Sequence, residues 1–138
     1  MSMEAFTVID GDKAVAVPGR RDRERVLLDP AGVKDALGWE IHDGLLCNDS
    51  MCIPLENEAS VVRDGAIDLA GLASAMDRAL AVDLDERAAF LGGSARERSQ
   101  ALAAQQAPDF ALPDLAGRTH TLGEHRGRKI LLVAWASW

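Results

Sequence analysis

The sequence predicts a mixed α/β fold of the α+β kind, and three observations carry that expectation. Short apolar runs of strand length are punctuated by Asp-Gly turns at Asp10-Gly11, Asp43-Gly44 and Asp64-Gly65. Side chains suited to capping stand at the start of helical patterns, at Asp29, Asp68, Asp83 and Ser94. Near the C-terminus Ile130-Leu131-Leu132-Val133-Ala134-Trp135 is a continuous apolar run. That is the pattern of a strand covered on both faces in a parallel sheet.

Taken in order, residues 6–9 and 14–17 read as two strands joined through Asp10-Gly11-Asp12-Lys13. The segment from Pro18 to Arg25 reads either as an anion-binding loop or as a solvated mixed-charge connector, because Asp22 and Glu24 interrupt its arginines. Residues 26–28 form a strand candidate. A short helix follows, with Asp29 as N-cap, Pro30 at the first helical position and Gly38 just past the end. Pro30 loses nothing there, since its missing N–H would have had no helical partner. Val33 and Leu37 share the face that can be buried. Residues 39–42 read as a strand. From Leu45 to Leu55 two apolar arms enclose Asn48-Asp49-Ser50, the composition of a tight turn. Val61-Val62 suggests a further strand end.

Asp68 caps a helix whose apolar stripe is Leu69, Leu72, Met76 and Leu80. Asp83 and Glu86 then signal a short helix ending at Gly92-Gly93, and Ser94 with Glu97 a last helix through about Gln105. The stretch before Pro108 reads as a linker. Beyond it, residues 110–112 and 119–122 form a β-ribbon turned by Asp114-Leu115-Ala116-Gly117, and Arg126-Gly127 leads into the apolar run.

Composition narrows the function. The chain has 138 residues, is 48% hydrophobic and carries a net charge of −7. That is a globular composition, and its acidity argues against nucleic acid or an anionic membrane as partner. Residues 1–107 carry 11 basic against 19 acidic side chains, and residues 108–138 carry 4 against 3. This shift supports a boundary near Ala107. No basic start followed by an apolar run marks a signal peptide, and no stretch approaches the roughly 20 apolar residues of a membrane helix. The expected location is cytoplasmic.

The two cysteines, Cys47 and Cys52, flank one turn and could face each other across it. Three readings stand side by side: buried and inert small hydrophobes, a redox pair able to close a disulfide, or a metal site sharing His42. Structural zinc needs four ligands and closer cysteine spacing, so no metal is expected. His120 and His125 flank the ribbon and basic loop, where a surface histidine on a polar turn accounts for each.

Several pieces of the last stretch occur together: Ala107-Pro108-Asp109-Phe110, Leu112-Pro113-Asp114, Gly117, Leu122, Arg126-Gly127 and Lys129 through Trp138. In that order they resemble the start of a thioredoxin-like redoxin of the thiol-specific antioxidant and alkyl hydroperoxide reductase superfamily. The resemblance covers about 32 residues at the C-terminus. It implies that Trp135, Ala136, Ser137 and Trp138 form an active-site loop, and that the catalytic cysteine, or a selenocysteine encoded by UGA, follows Trp138 at a helix N-terminus. There the helix dipole would favour the thiolate. It also implies a peroxide or disulfide substrate, a thiol reductant and no cofactor. The Leu-Cys-x4-Cys-x-Pro pattern upstream resembles an accessory region that precedes redoxin segments in bacterial proteins.

The expectation is therefore an accessory α+β domain over 1–106 and the first strands of a thioredoxin-like fold over 107–138, truncated before its nucleophile and inactive as it stands. An unpaired apolar strand invites association, so self-association through residues 129–135, with Lys129 and Trp135 at its ends, is expected. The competing expectation is a non-catalytic α/β binding or regulatory module whose strand-bearing tail serves association.

Overall fold

A computed structural model describes residues 3–136. Three sheets and three α-helices are present among them, a mixed α/β structure. The chain divides into two compact units, Met1–Ser99 and Gln100–Trp138.

The first unit begins with β1 (Glu4–Asp10), β2 (Lys13–Asp22) and β3 (Arg25–Leu28), followed by α1 (Pro30–Leu37). Next come the short strands β4 (Glu40–His42), β5 (Leu45–Cys47) and β6 (Cys52–Pro54), then β7 (Val62–Arg63), β8 (Ala66–Asp68) and α2 (Leu69–Ala75). It closes with β9 (Arg78–Asp83) and β10 (Ala88–Ser94), after which α3 (Ala95–Ala103) begins. The main sheet runs β7-β8-β3-β2-β1-β10-β9. Only the β1–β10 pair is parallel; the others are antiparallel.

Strand periodicity builds the core. Phe6 and Val8 of β1, Val17 of β2, Val26 and Leu28 of β3, and Ala89 and Leu91 of β10 are all buried. They share one cluster with Val33 and Ala36 of α1 and with Leu69, Leu72 and Ala73 of α2. Helix α1 follows its signals: Asp29 accepts from the Gly32 N–H at 3.1 Å, Pro30 stands in the first turn, and Gly38 takes φ 74°. The Ser94–Glu97 capping box also forms. Ser94 Oγ accepts from the Glu97 N–H at 3.1 Å, and Glu97 Oε2 from the Ser94 N–H at 2.9 Å.

Three expectations for this unit are overturned. The Pro18 to Arg25 segment is neither a loop nor a connector, because β2 continues through Asp22 and turns at Arg23 (φ 56°) into β3. Pairing of Gly19 to Asp22 with β3, and of Pro18 and Gly19 with β1, outweighs its polar composition. Leu80 does not extend the α2 stripe. The helix ends at Ala75, Asp77 takes φ 52°, and Leu80 pairs with Leu91 across β9 and β10. The Asp83 signal starts a hairpin rather than a helix. Asp83 does accept from the Asp85 and Glu86 N–H groups, both at 3.0 Å, but Arg87 (φ 50°) sends the chain back along β9. An Asx turn and a helix N-cap use the same side-chain bond, so the local signal does not separate them. The Gly92-Gly93 pair marks a register shift in β10, where Arg78 Nε donates to the Gly92 carbonyl at 2.6 Å and Nη2 to Asp10 at 2.5 Å.

In the second unit the ribbon forms as β11 (Ala111–Pro113) paired antiparallel with β12 (Thr119–Thr121). The buried strand expected over 129–135 does not form among the described residues. That stretch has no strand assignment, with Leu131 89% and Trp135 82% exposed. A strand exists only where a neighbour takes up its N–H and C=O groups, and no described strand pairs with this one. No described helix is long and apolar enough to cross a membrane.

Candidate functional site

The three-stranded sheet β4-β5-β6 carries the cysteines. Asp43 (φ 50°) and Gly44 (φ 75°) make the tight turn between β4 and β5, with the positive φ at both positions that such a hairpin favours. That turn sets the register, which lines the sheet into three rows. Ile41, Leu46 and Ile53 form one, Glu40, Cys47 and Cys52 the next, and His42, Leu45 and Pro54 the third. Side chains alternate between faces along a strand, so the first row lies opposite the other two. Leu46 is fully buried in the core and Ile41 and Ile53 pack against it. The cysteine row therefore lies on the outer face.

The turn that joins β5 to β6 brings the cysteines together. The Asn48 N–H donates to the Met51 carbonyl at 2.9 Å, and Asn48 Oδ1 accepts from the Ser50 and Met51 N–H groups at 2.9 and 2.8 Å. The pair next to a hydrogen-bonded one in an antiparallel ladder is the close, non-hydrogen-bonded kind. Cys47 and Cys52 occupy it, with Cα atoms 4.0 Å apart, and are joined by a disulfide. Pro54 occupies the equivalent position two residues on, where it forfeits no ladder bond. Cys47 is half-buried and Cys52 exposed, so they are not the buried, inert hydrophobes of the first reading.

Charged groups share this outer face. Glu40, directly across from Cys47, has its carboxylate 2.7 Å from Lys34 Nζ and 3.2 Å from His42 Nε2. The hydrogen bond from Lys34, and then that from His42, hold the Glu40 carboxyl below the usual range. The same bond to Glu40 raises Lys34, with Asp49 of the turn adding to the effect. His42 is thus turned to Glu40, and the two sulfurs to each other. Among the described residues no group of three or more His, Cys, Asp or Glu is placed to hold a metal ion. Lys34 and Glu40 had not been singled out from the sequence. The Asp43-Gly44 turn was the available signal, because counting outward from it puts residue 40 opposite residue 47.

A short stretch of the chain is similar to known redox proteins. Thioredoxin-like protein YneN of Bacillus subtilis is 50% identical over 34 residues, 25% of this chain and 20% of that protein. Thiol-disulfide oxidoreductase ResA of Geobacillus thermodenitrificans is 40% identical over 42 residues, 30% of this chain and 24% of that protein. ResA of Geobacillus kaustophilus is 38% identical over the same length. The likeness is that of a thioredoxin-like redoxin segment. The chain spans about a fifth to a quarter of the length of these curated relatives. No protein-family model and no solved structure matches it.

The remaining candidates lie apart from the cysteine row in sequence. Trp135 and Ala136 are exposed, and Ser137 and Trp138 of the expected active-site loop lie outside the described residues. His125 is exposed on a short 3-10 turn, Leu122–His125. His120 Nε2 lies 3.0 Å from Asp114 Oδ2, and Nδ1 lies 3.8 Å from Glu124. Asp114 also accepts from the Ala116 and Arg118 N–H groups at 2.8 and 2.9 Å, which organises the ribbon turn. The His120 contact first, and these backbone bonds with it, hold its carboxyl below the ordinary Asp value. A carboxylate with a lowered folded pKa stabilises above the unfolded value, and the contribution disappears as pH falls through the folded one. Acidification below the ordinary carboxylate range is therefore expected to release the turn, seen as a shift of the Ala116 and Arg118 amide resonances. An Asp114→Asn variant that kept the same acid-dependent shift would refute this.

Proposed function

We propose that the protein works in thiol-disulfide redox chemistry, with Cys47 and Cys52 as the redox couple of these 138 residues. The observation that carries the reading is the disulfide on the outer face of a surface hairpin, with Cys52 an exposed residue. A disulfide that only stapled the fold would gain nothing from exposure, whereas exchange requires an external thiolate to reach a sulfur. The short likeness to thiol-disulfide oxidoreductases supports the same role. For the whole protein the proposal extends to reduction of a peroxide or disulfide with a thiol as reductant, through a redoxin domain that begins near Ala107. A cytoplasmic setting fits a couple that cycles, since glutathione and thioredoxin there keep most thiols reduced.

Equilibration in glutathione buffers of graded ratio, followed by alkylation and intact mass, tests the couple. Two alkylated cysteines at the reducing end, none at the oxidising end and a midpoint above about −300 mV are expected. A disulfide that stays closed across the range would instead make the pair a staple in a binding or regulatory module.

A further inference from the structure

We infer that Cys52 is the sulfur through which this couple exchanges electrons with an external thiol or disulfide, while Cys47 is the sulfur that leaves and returns. The inference rests on the proposed redox role of the pair and assigns its two members different parts. In the row Glu40–Cys47–Cys52, Cys47 stands on the central strand with a neighbour on each side. Cys52 stands on β6, at the edge of that sheet, and is exposed.

Thiolate attack on a disulfide is in line: the nucleophile approaches one sulfur from the side opposite the other. Attack on Cys52 comes from beyond β6, where the sheet has no further strand among the described residues. Attack on Cys47 comes from the β4 side, where Glu40 is the residue paired with it. There β4 flanks Cys47, and the negative charge of Glu40 opposes an incoming thiolate. Lys34 and His42 offset part of that charge.

The chemistry balances with a monothiol as co-reactant. A thiolate RS⁻ bonds to Cys52 Sγ, the Cys47–Cys52 bond breaks, and Cys47 departs with the electron pair and takes a proton from water. A second thiolate attacks the RS sulfur of the mixed disulfide and releases the Cys52 thiolate. Two thiols become one external disulfide, and the protein disulfide becomes two thiols. In the reverse direction Cys52 attacks an external disulfide and Cys47 closes the bond.

Single-cysteine variants test the assignment, with the neutral probe bis(2-hydroxyethyl) disulfide and mixed-disulfide formation followed by intact mass. The Cys52 thiol of Cys47→Ser is expected to react about tenfold faster than the Cys47 thiol of Cys52→Ser. Adding Glu40→Gln to Cys52→Ser is expected to raise the Cys47 rate several-fold, while adding it to Cys47→Ser changes little. Equal rates, or a faster Cys47, would overturn the assignment. A measurement on the unaltered chain needs no variant to fold: rapid acid quench during reduction by 2-mercaptoethanol, then peptide mapping, should find the adduct on Cys52, and an adduct on Cys47 would overturn it. The two readings fail separately. A pair that cycles in glutathione buffer but carries its adduct on Cys47 refutes only the order of attack. A pair that stays closed there while the single thiols differ in rate refutes the redox role.

Discussion

Asp68→Ala is expected to cost the first unit about 2–3 kcal/mol, seen as a lower urea midpoint at unchanged slope. Asp68 is the fully buried charged residue at the junction of β8 and α2. Its Oδ1 accepts from the Ala70 and Gly71 N–H groups at 3.1 and 3.4 Å, capping α2. Its Oδ2 accepts from Arg25 Nη1 at 2.6 Å and Arg63 Nε at 3.0 Å, which ties β3 and β7 to the same point. Alanine removes the cap, worth about 1 kcal/mol, and both charge-assisted bonds, and leaves a buried gap. The arginine side chains are 50% and 42% exposed and can rehydrate, so the loss stays below that of a fully buried pair. Asp68→Asn retains the capping oxygen but turns an N–H donor toward the arginines, and a smaller loss is expected. A loss under about 1 kcal/mol for the alanine variant would show that this junction does not hold the sheet to the helix.

Leu46→Ala is expected to cost about 2–5 kcal/mol, and its neighbour Leu45→Ala within about 0.5 kcal/mol. Leu46 is fully buried and is the central member of the row that β4, β5 and β6 send into the core. Deleting its side chain loses the transfer energy and opens a cavity beneath a sheet whose other face is already in solvent. Leu45 lies on that other face and is 38% exposed. The two substitutions remove the same atoms one position apart, so their difference reads the register directly. A larger loss for Leu45→Ala than for Leu46→Ala would mean that the faces are reversed, which would also place the disulfide inward.

The local devices of this fold were legible in the sequence. The α1 and α3 caps and the turns at Asp10-Gly11, Asp43-Gly44 and Asp64-Gly65 are each satisfied within a few residues, by a side-chain oxygen or by a backbone that tolerates positive φ. The closeness of Cys47 and Cys52 was legible for the same reason, since a tight turn brings its two flanks together, while their joining in a disulfide was one of three open readings. Failures occurred where one local signal serves two structures. Asp83 makes an Asx bond that suits a helix start or a hairpin, and the partner strand decided between them. Leu80 matched a helical stripe until Asp77 ended the helix. The apolar run after Lys129 matched a buried strand, but a strand also requires a neighbour.

What the sequence determined by itself is the set of turns and caps, the closeness of the two cysteines and the likeness of a short stretch to thioredoxin-like redoxins. What only the tertiary structure decided is which way each element faces. The row of Ile41, Leu46 and Ile53 takes the core side of its sheet and so turns Glu40, Cys47 and Cys52 outward. The physical reason is range. Turn and cap bonds close within about four residues, whereas burial of one sheet face depends on strands and helices that lie far away in the chain.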